Sequence, residues 1–137
     1  MKKTLTIEGT PVSKGRLRTN RNGHRWTPTK TRDAEFNIKQ QAKYVTVIPI
    51  EKDLPVELRV DFYFTIPKSW SKKKKELHMC QYKTSKPDLD NLVKLVKDAL
   101  NGIAWHDDSQ VVRIVATKRY SISARTEIEI DILEMNN

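Results

Sequence analysis

The stretch from Val56 to Ile66 restricts the fold more than any other. Val56, Leu58, Val60, Phe62, Phe64 and Ile66 alternate with Glu57, Arg59, Asp61, Tyr63 and Thr65, so a strand places the whole apolar set on one face. A strict period of two over this length predicts a sheet with one face buried and the other largely wet. Asp61 belongs to the wet face and reads as a surface charge. Residues Thr126 to Leu133 repeat the pattern, with Ile128, Ile130 and Ile132 inward and Glu127, Glu129 and Asp131 outward. Those three acids imitate an acidic cluster, but alternate positions on a solvent face explain them, with Arg113 or Lys118 as cross-strand partners. Thr4 to Glu8 is a shorter strand carrying Leu5 and Ile7. Val111 to Thr117 is apolar on both faces and is predicted to lie inside the sheet.

Elsewhere the apolar spacing turns helical. Thr27-Pro28 opens one helix, with Thr27 as cap and Pro28 at the first helical position, and Ala34, Ile38, Ala42 and Val45 form its inward stripe. Phe36 and Tyr44 fall off that stripe and are left for a second surface. A second helix follows from Leu89, Leu92, Val93, Val96, Ala99, Leu100 and Ile103; Pro87-Asp88 starts it and Asn101-Gly102 stops it. Between them Pro67 to Glu76 carries a cap at Ser69 or Ser71 and the run Lys72-Lys73-Lys74-Lys75. The expected class is α+β: a mixed, mainly antiparallel sheet of four to five strands packed against two main helices. Residues 1–137 suffice for one domain with one modest core. One-sided strands argue against a doubly wound sheet, which buries both faces.

The second helix also concentrates charge. Asp90, Lys94 and Asp98 lie four apart on its polar side. Carboxylates at i and i+2 converge only when the first precedes the helix and the second occupies its first turn, as Asp88 and Asp90 do. A turn at Gly102 folds Asp107 and Asp108 back along the helix, Asp107 joining the others only if the turn from Trp105 to Ser109 is sharp. Such a group suits a hard divalent cation, since Mg²⁺ takes oxygen ligands and leaves the remainder to water and substrate phosphate. Taken singly, each feature has a plainer meaning: Asp88 a cap, Asp107-Asp108 a solvated turn, Lys94 an i,i+4 partner of Asp90 or Asp98. An EF-hand is excluded, because Val93 and Ala99 stand where its glycine and terminal glutamate belong.

Composition matters for the partner. Lys and Arg number 26 against 17 Asp and Glu, a net charge of +9, which favours polyanions. From Val12 to Arg32 the chain holds Lys14, Arg16, Arg18, Arg21, Arg25, Lys30 and Arg32 and no acid. Asn22-Gly23 within it is a two-residue hairpin signal, so residues 12–32 read as a basic hairpin or mobile arm that contacts DNA phosphates. Lys72, Lys73 and Lys86 are further candidate phosphate contacts flanking the acids. Cys80 is the sole cysteine and excludes an intramolecular disulfide framework. His78, Met79 and Cys80 lack partners at zinc-ligand spacing. No apolar run of membrane length occurs, and the location expected is cytoplasmic, without a membrane or a small organic cofactor.

The ordered run Lys86-Pro87-Asp88-Leu89-Asp90-Asn91-Leu92, Lys94, Asp98-Ala99-Leu100-Asn101-Gly102, then Trp105, Asp107-Asp108 and Gln110-Val111 resembles the RusA family of Holliday junction resolvases of bacteria and their phages. Pro67 to Lys73 resembles a weaker upstream signature of that family. The resemblance implies a homodimer that cleaves four-way junction DNA with Mg²⁺, Mn²⁺ substituting, in recombination and repair. It assigns metal binding to Asp88, Asp90 and Asp108 together with Asp107, and an essential cationic role to Lys94; His106 stands outside the pattern. The alternative is a non-enzymatic basic DNA-binding protein whose aspartates only cap and solvate. That alternative explains the charge but not acids concentrated within a basic chain.

Overall fold

A computed structural model describes residues 2–46 and 48–134. Strand β1 (Lys2–Glu8) is followed by a small hairpin of β2 (Arg18–Thr19) and β3 (Arg25–Trp26), helix α1 (Thr29–Val45) and strand β4 (Val56–Thr65). Two helices, α2 (Lys72–His78) and α3 (Leu89–Leu100), then lead through a 3₁₀ turn (Asp108–Gln110) to strands β5 (Val111–Ser121) and β6 (Arg125–Ile132). The main sheet has the order β1-β6-β4-β5. β6 runs antiparallel to both neighbours, while β5 runs parallel to β4. Parallel neighbours need a long crossover, and α2 and α3 form it.

The alternation in β4 does what the spacing predicts. Val56, Leu58 and Val60 are fully buried, and Phe62 and Phe64 nearly so. Beside them lie Ile128 and Ile130 of β6 and Leu5 and Ile7 of β1, roofed by Ile38 and Ala42 of α1 and Leu92, Leu95, Val96 and Leu100 of α3. Each large side chain removed from water in this way contributes roughly 1.5–3 kcal/mol, so β4 dominates the core. α1 and α3 pack on each other, α1 also meeting β1 and α3 meeting β5. The opposite face carries the charges. Glu57 is bound by Arg59 at 2.8 Å and Arg113 at 3.1 Å, and Glu129 by Lys2 at 3.1 Å. The outward acids of β6 are therefore a paired solvent face; Arg113 crosses to Glu57, and Lys118 points elsewhere.

Four local expectations are corrected. α1 begins at Thr29 with Pro28, not Thr27, as its N-cap. Asp88 occupies the N-cap of α3 by backbone, with an extended ψ of 138°, yet its carboxylate accepts no capping hydrogen bond. The hairpin loop is not the two residues Asn22-Gly23. Asn20 pairs with His24, the Asn20 side chain accepts the N–H groups of Asn22 and His24, and only Gly23 has positive φ, at 80°; this is a three-residue loop ending in a left-handed glycine. Finally, β5 is the sheet edge rather than an interior strand, and Val112 and Ile114 are exposed on it.

Candidate active site

Helix α3 presents its apolar side to the core and leaves a polar flank beside the edge strand β5. The space between them is a groove of about 760 Å³, lined by Asp90, Lys94, Lys97 and Asp98 from the helix and by Asp108, Ile114 and Ala116 from the turn and strand. Leu89 and Val93 form its apolar floor on the helix side. The groove exists because β5 is an edge: α3 covers β5 incompletely, which is why Ile114 stays 43% exposed.

Each charged residue of the predicted cluster has a distinct situation. Asp90 and Asp108 both face the groove, Asp90 exposed and Asp108 half-buried. Lys94 lies between Asp90 and Asp98 in sequence, but among the described residues its ammonium makes no hydrogen bond or ion pair. The helix-pair reading is therefore not realised, and Asp98 instead binds Lys14 at 3.1 Å. Asp88 stands exposed at the helix start, outside the groove lining. The loop before it is pinned by Lys118, whose ammonium donates to the carbonyls of Ser85 and Pro87, both at 2.8 Å; no local pattern around Lys118 signals that role.

Asp107 is drawn away from the group. Its carboxylate accepts the Ser109 N–H at 3.0 Å and caps the 3₁₀ turn. The Ser109 backbone N–H, then the Ser109 hydroxyl, hold this carboxyl below the usual aspartate range, with Lys52 adding a smaller pull. Gln110 completes the turn. Its side-chain oxygen accepts the N–H groups of His106 and Asp107, and its amide donates to the carbonyls of Glu51 and Leu54. Asp108 is fixed differently, by the indole N–H of Trp105 donating to Oδ1 at 2.9 Å.

Among the described residues no three acidic, histidine or cysteine side chains converge closely enough to hold a metal ion unaided. The predicted gathering of four carboxylates is thus not preassembled. Of the three carboxylates that line the groove, Asp98 is engaged by Lys14, which leaves the pair Asp90 and Asp108, with Asp88 just before the helix. Such a sparse donor set fits Mg²⁺, which keeps several waters and is commonly held by one or two carboxylates plus substrate phosphate.

The basic candidates divide into two kinds. Arg16, Arg18, Arg21 and Arg25 belong to the β2–β3 arm and are all exposed, in company with the exposed Leu17 and Trp26. Lys14 is at the arm's root with its ammonium held by Glu35 and Asp98, and its N–H donates to the Asn91 carbonyl at 2.9 Å. It is a tether and not an open cation. Since Asp98 lines the groove, the arm springs from beside it. Lys72 and Lys73 are exposed on α2, which Trp70 and His78 seat against Tyr120, and Lys86 is exposed just ahead of Asp88. No helix among the described residues is long and apolar enough to cross a membrane.

Comparison with known proteins bears on these residues directly. The profile of a family described as "Endodeoxyribonuclease RusA" matches residues 8–131, which include the arm, the groove and every strand but most of β1 and the end of β6. The chain is 38% identical over 139 aligned residues to the uncharacterized protein YqaN of Bacillus subtilis (strain 168), covering 92% of this chain and 93% of that protein. It is also 42% identical over 81 residues to the crossover junction endodeoxyribonuclease rusA of Lactococcus phage r1t, covering 58% of this chain and 56% of that one.

Proposed function

The chain belongs to the RusA endodeoxyribonuclease family, and from that premise we propose that it resolves four-way (Holliday) DNA junctions in recombination and repair, using Mg²⁺ or Mn²⁺. The observation that carries the reading is the groove itself. Lys94 and Lys97 share one cleft with three carboxylates, Asp90, Asp98 and Asp108, of which Asp98 is taken by Lys14 at the root of the arginine-bearing arm. A purely DNA-binding protein gains nothing from carboxylates held open toward phosphate, because each repels the backbone it must grip.

Asp90 and Asp108, with Asp88 from the helix start, would hold the cation. Bound there, it would neutralise phosphate charge and make a nearby water more acidic. The chain's own residues supply the rest. Lys94, bearing a charge that no neighbour neutralises, is available to the phosphate and to the leaving oxygen, where charge grows in the transition state. The arm arginines, with Lys72, Lys73 and Lys86, hold the flanking backbone and orient the scissile bond. A homodimer with one groove per subunit cuts two symmetric strands, as two-fold symmetry of a four-way junction requires. The setting that follows is the cytoplasm of a bacterial or phage-infected cell.

A labelled four-way junction incubated with the protein in Mg²⁺ should yield paired nicked duplexes, and EDTA should abolish them while leaving binding intact. Binding without cleavage in both Mg²⁺ and Mn²⁺ would return the chain to the DNA-binding class.

A further inference from the structure

We propose that Trp105 is a positioning residue for the reaction: its indole N–H holds one oxygen of Asp108, so that the other is the oxygen presented to the groove. The inference rests on the reading of Asp108 as a cation ligand, and adds to it a cause for the carboxylate's orientation.

Trp105 is completely buried and ranks among the largest side chains in the core. A buried indole needs an acceptor for its single donor, and any nearby carbonyl would serve. Here the acceptor is a half-buried carboxylate that faces the groove, at 2.9 Å. The tryptophan is itself firmly mounted. Its carbonyl accepts the Gly102 N–H at 2.9 Å, and the Ala104 carbonyl beside it accepts the Ile50 N–H at 2.9 Å. Gln110 locks the two intervening backbone N–H groups, those of His106 and Asp107. The donor is thus rigid on both sides.

Two chemical consequences follow. The terminal torsion of an aspartate is ordinarily broad, and the indole bond narrows it before any cation arrives. An indole donor is also neutral, so Asp108 keeps its full charge for the cation, whereas a lysine or arginine in that place would cancel it. Neighbouring acids are therefore put to different uses: Asp107 closes the turn while Asp108 is aimed by the core.

The test is Mn²⁺ binding to the DNA-free protein, followed by calorimetry, for wild type, Trp105→Phe, Asp108→Asn and the double variant. Asn retains an oxygen that accepts the indole N–H but lacks the charge. Partners that orient a ligand typically contribute 10–100-fold in metal affinity, so Trp105→Phe should bind Mn²⁺ about tenfold more weakly. The same change made in Asp108→Asn should have no further effect. Weakened core packing alone would lower thermal stability in all backgrounds without that dependence on Asp108. Wild-type affinity in Trp105→Phe, with Asp108→Asn impaired, overturns the positioning role and leaves the ligand reading standing. Wild-type affinity in Asp108→Asn overturns the ligand reading and the positioning role with it. Should Trp105→Phe fail to fold, the ¹⁵N-labelled wild type decides: on adding Mg²⁺ the Trp105 indole resonance should shift while those of Trp26 and Trp70 stay in place, and an unmoved Trp105 resonance overturns the proposal.

Discussion

Lys14 and Asp98 meet at 3.1 Å, joining the root of the arginine-bearing arm to the flank of α3 that lines the groove. Glu35 of α1 binds the same ammonium, so one lysine ties together arm, α1 and α3. Burial pulls this ammonium's pKa down, but the hydrogen bonds to Glu35 and Asp98 outweigh burial and leave it raised. A raised pKa means that the stabilisation is complete below the unfolded lysine value of about 10.4 and is lost only as pH rises through the still higher folded value. The tether therefore holds throughout the neutral range. Lys14→Met should reduce stability by roughly 1–3 kcal/mol, the cost of leaving part-buried hydrogen-bonding groups, here Glu35 and Asp98, without their partner. Limited trypsin digestion should then cut at Arg18, Arg21 and Arg25 several-fold faster than in wild type; unchanged arm proteolysis would argue that Lys14 anchors nothing.

Asp88→Asn, Asp90→Asn and Asp108→Asn should each abolish cleavage in a folded protein. Junction affinity measured in EDTA should stay equal or rise, since each change removes negative charge near phosphate. Wild-type cutting by all three would refute the site assignment.

Among the described residues Lys94 has no structural partner to forfeit. Lys94→Ala should keep its melting temperature and its junction affinity, yet cleave at least about a hundredfold more slowly, the scale of removing one preorganised donor to developing charge. Lys94→Arg should recover part of that, because its planar guanidinium spreads the charge. Single-turnover rates at saturating protein separate this chemical effect from binding. A Lys94→Ala rate within a few-fold of wild type would make the lysine a bystander.

The arm should act through phosphates. Neutralising Arg16, Arg18 and Arg21 together should weaken junction binding and flatten its log–log salt dependence by roughly 0.9 for each phosphate left without its cation. If affinity falls and the slope does not, the arginines act by some means other than counterion release.

Asp107 offers a contrast with its neighbour. Because its carboxyl titrates below the usual range, its capping contribution is present above the unfolded aspartate pKa of about 3.9 and disappears as pH falls through the lower folded value. Asp107→Asn keeps a good capping oxygen and should retain cleavage within a few-fold. Asp107→Ala should lower the melting temperature at pH 7, and the deficit should shrink as the pH is taken below the ordinary aspartate range. An Asp107→Asn variant as inactive as Asp108→Asn would show that the residue serves the cation after all.

The parts of the fold that were legible were those written as periodicity. β4 announces itself because each alternate residue is apolar, and α3 because its stripe ends near a glycine that takes φ of 79°. The edge position of β5 was not legible: Val112 and Ile114 are apolar yet exposed, and composition cannot distinguish a groove wall from a sheet interior. The acids of the site were legible as a spaced set, but their division of labour was not. That Asp107 caps and Asp108 faces the groove depends on Gln110 reaching Glu51 and Leu54, which lie far from it along the chain. Lys14 was misplaced among the open cations for the same reason, since its partners Glu35 and Asp98 come from two helices brought together only by packing.

The parallel pairing of β4 with β5 has a consequence for the order of events in a newly made chain. Asp88, Asp90, Lys94 and Asp108 all come from one short run of sequence, so the helix that carries the first three can form from local interactions, while the turn at Asp108 also waits for Gln110 to reach Glu51 and Leu54. The other wall of the groove arrives only when β5 docks on β4 across the whole α2–α3 crossover, and such non-local pairing is intrinsically slow. A growing or partly folded chain therefore displays the acids without the cleft that gives them a target. The cleft is completed last, with the closing of the sheet.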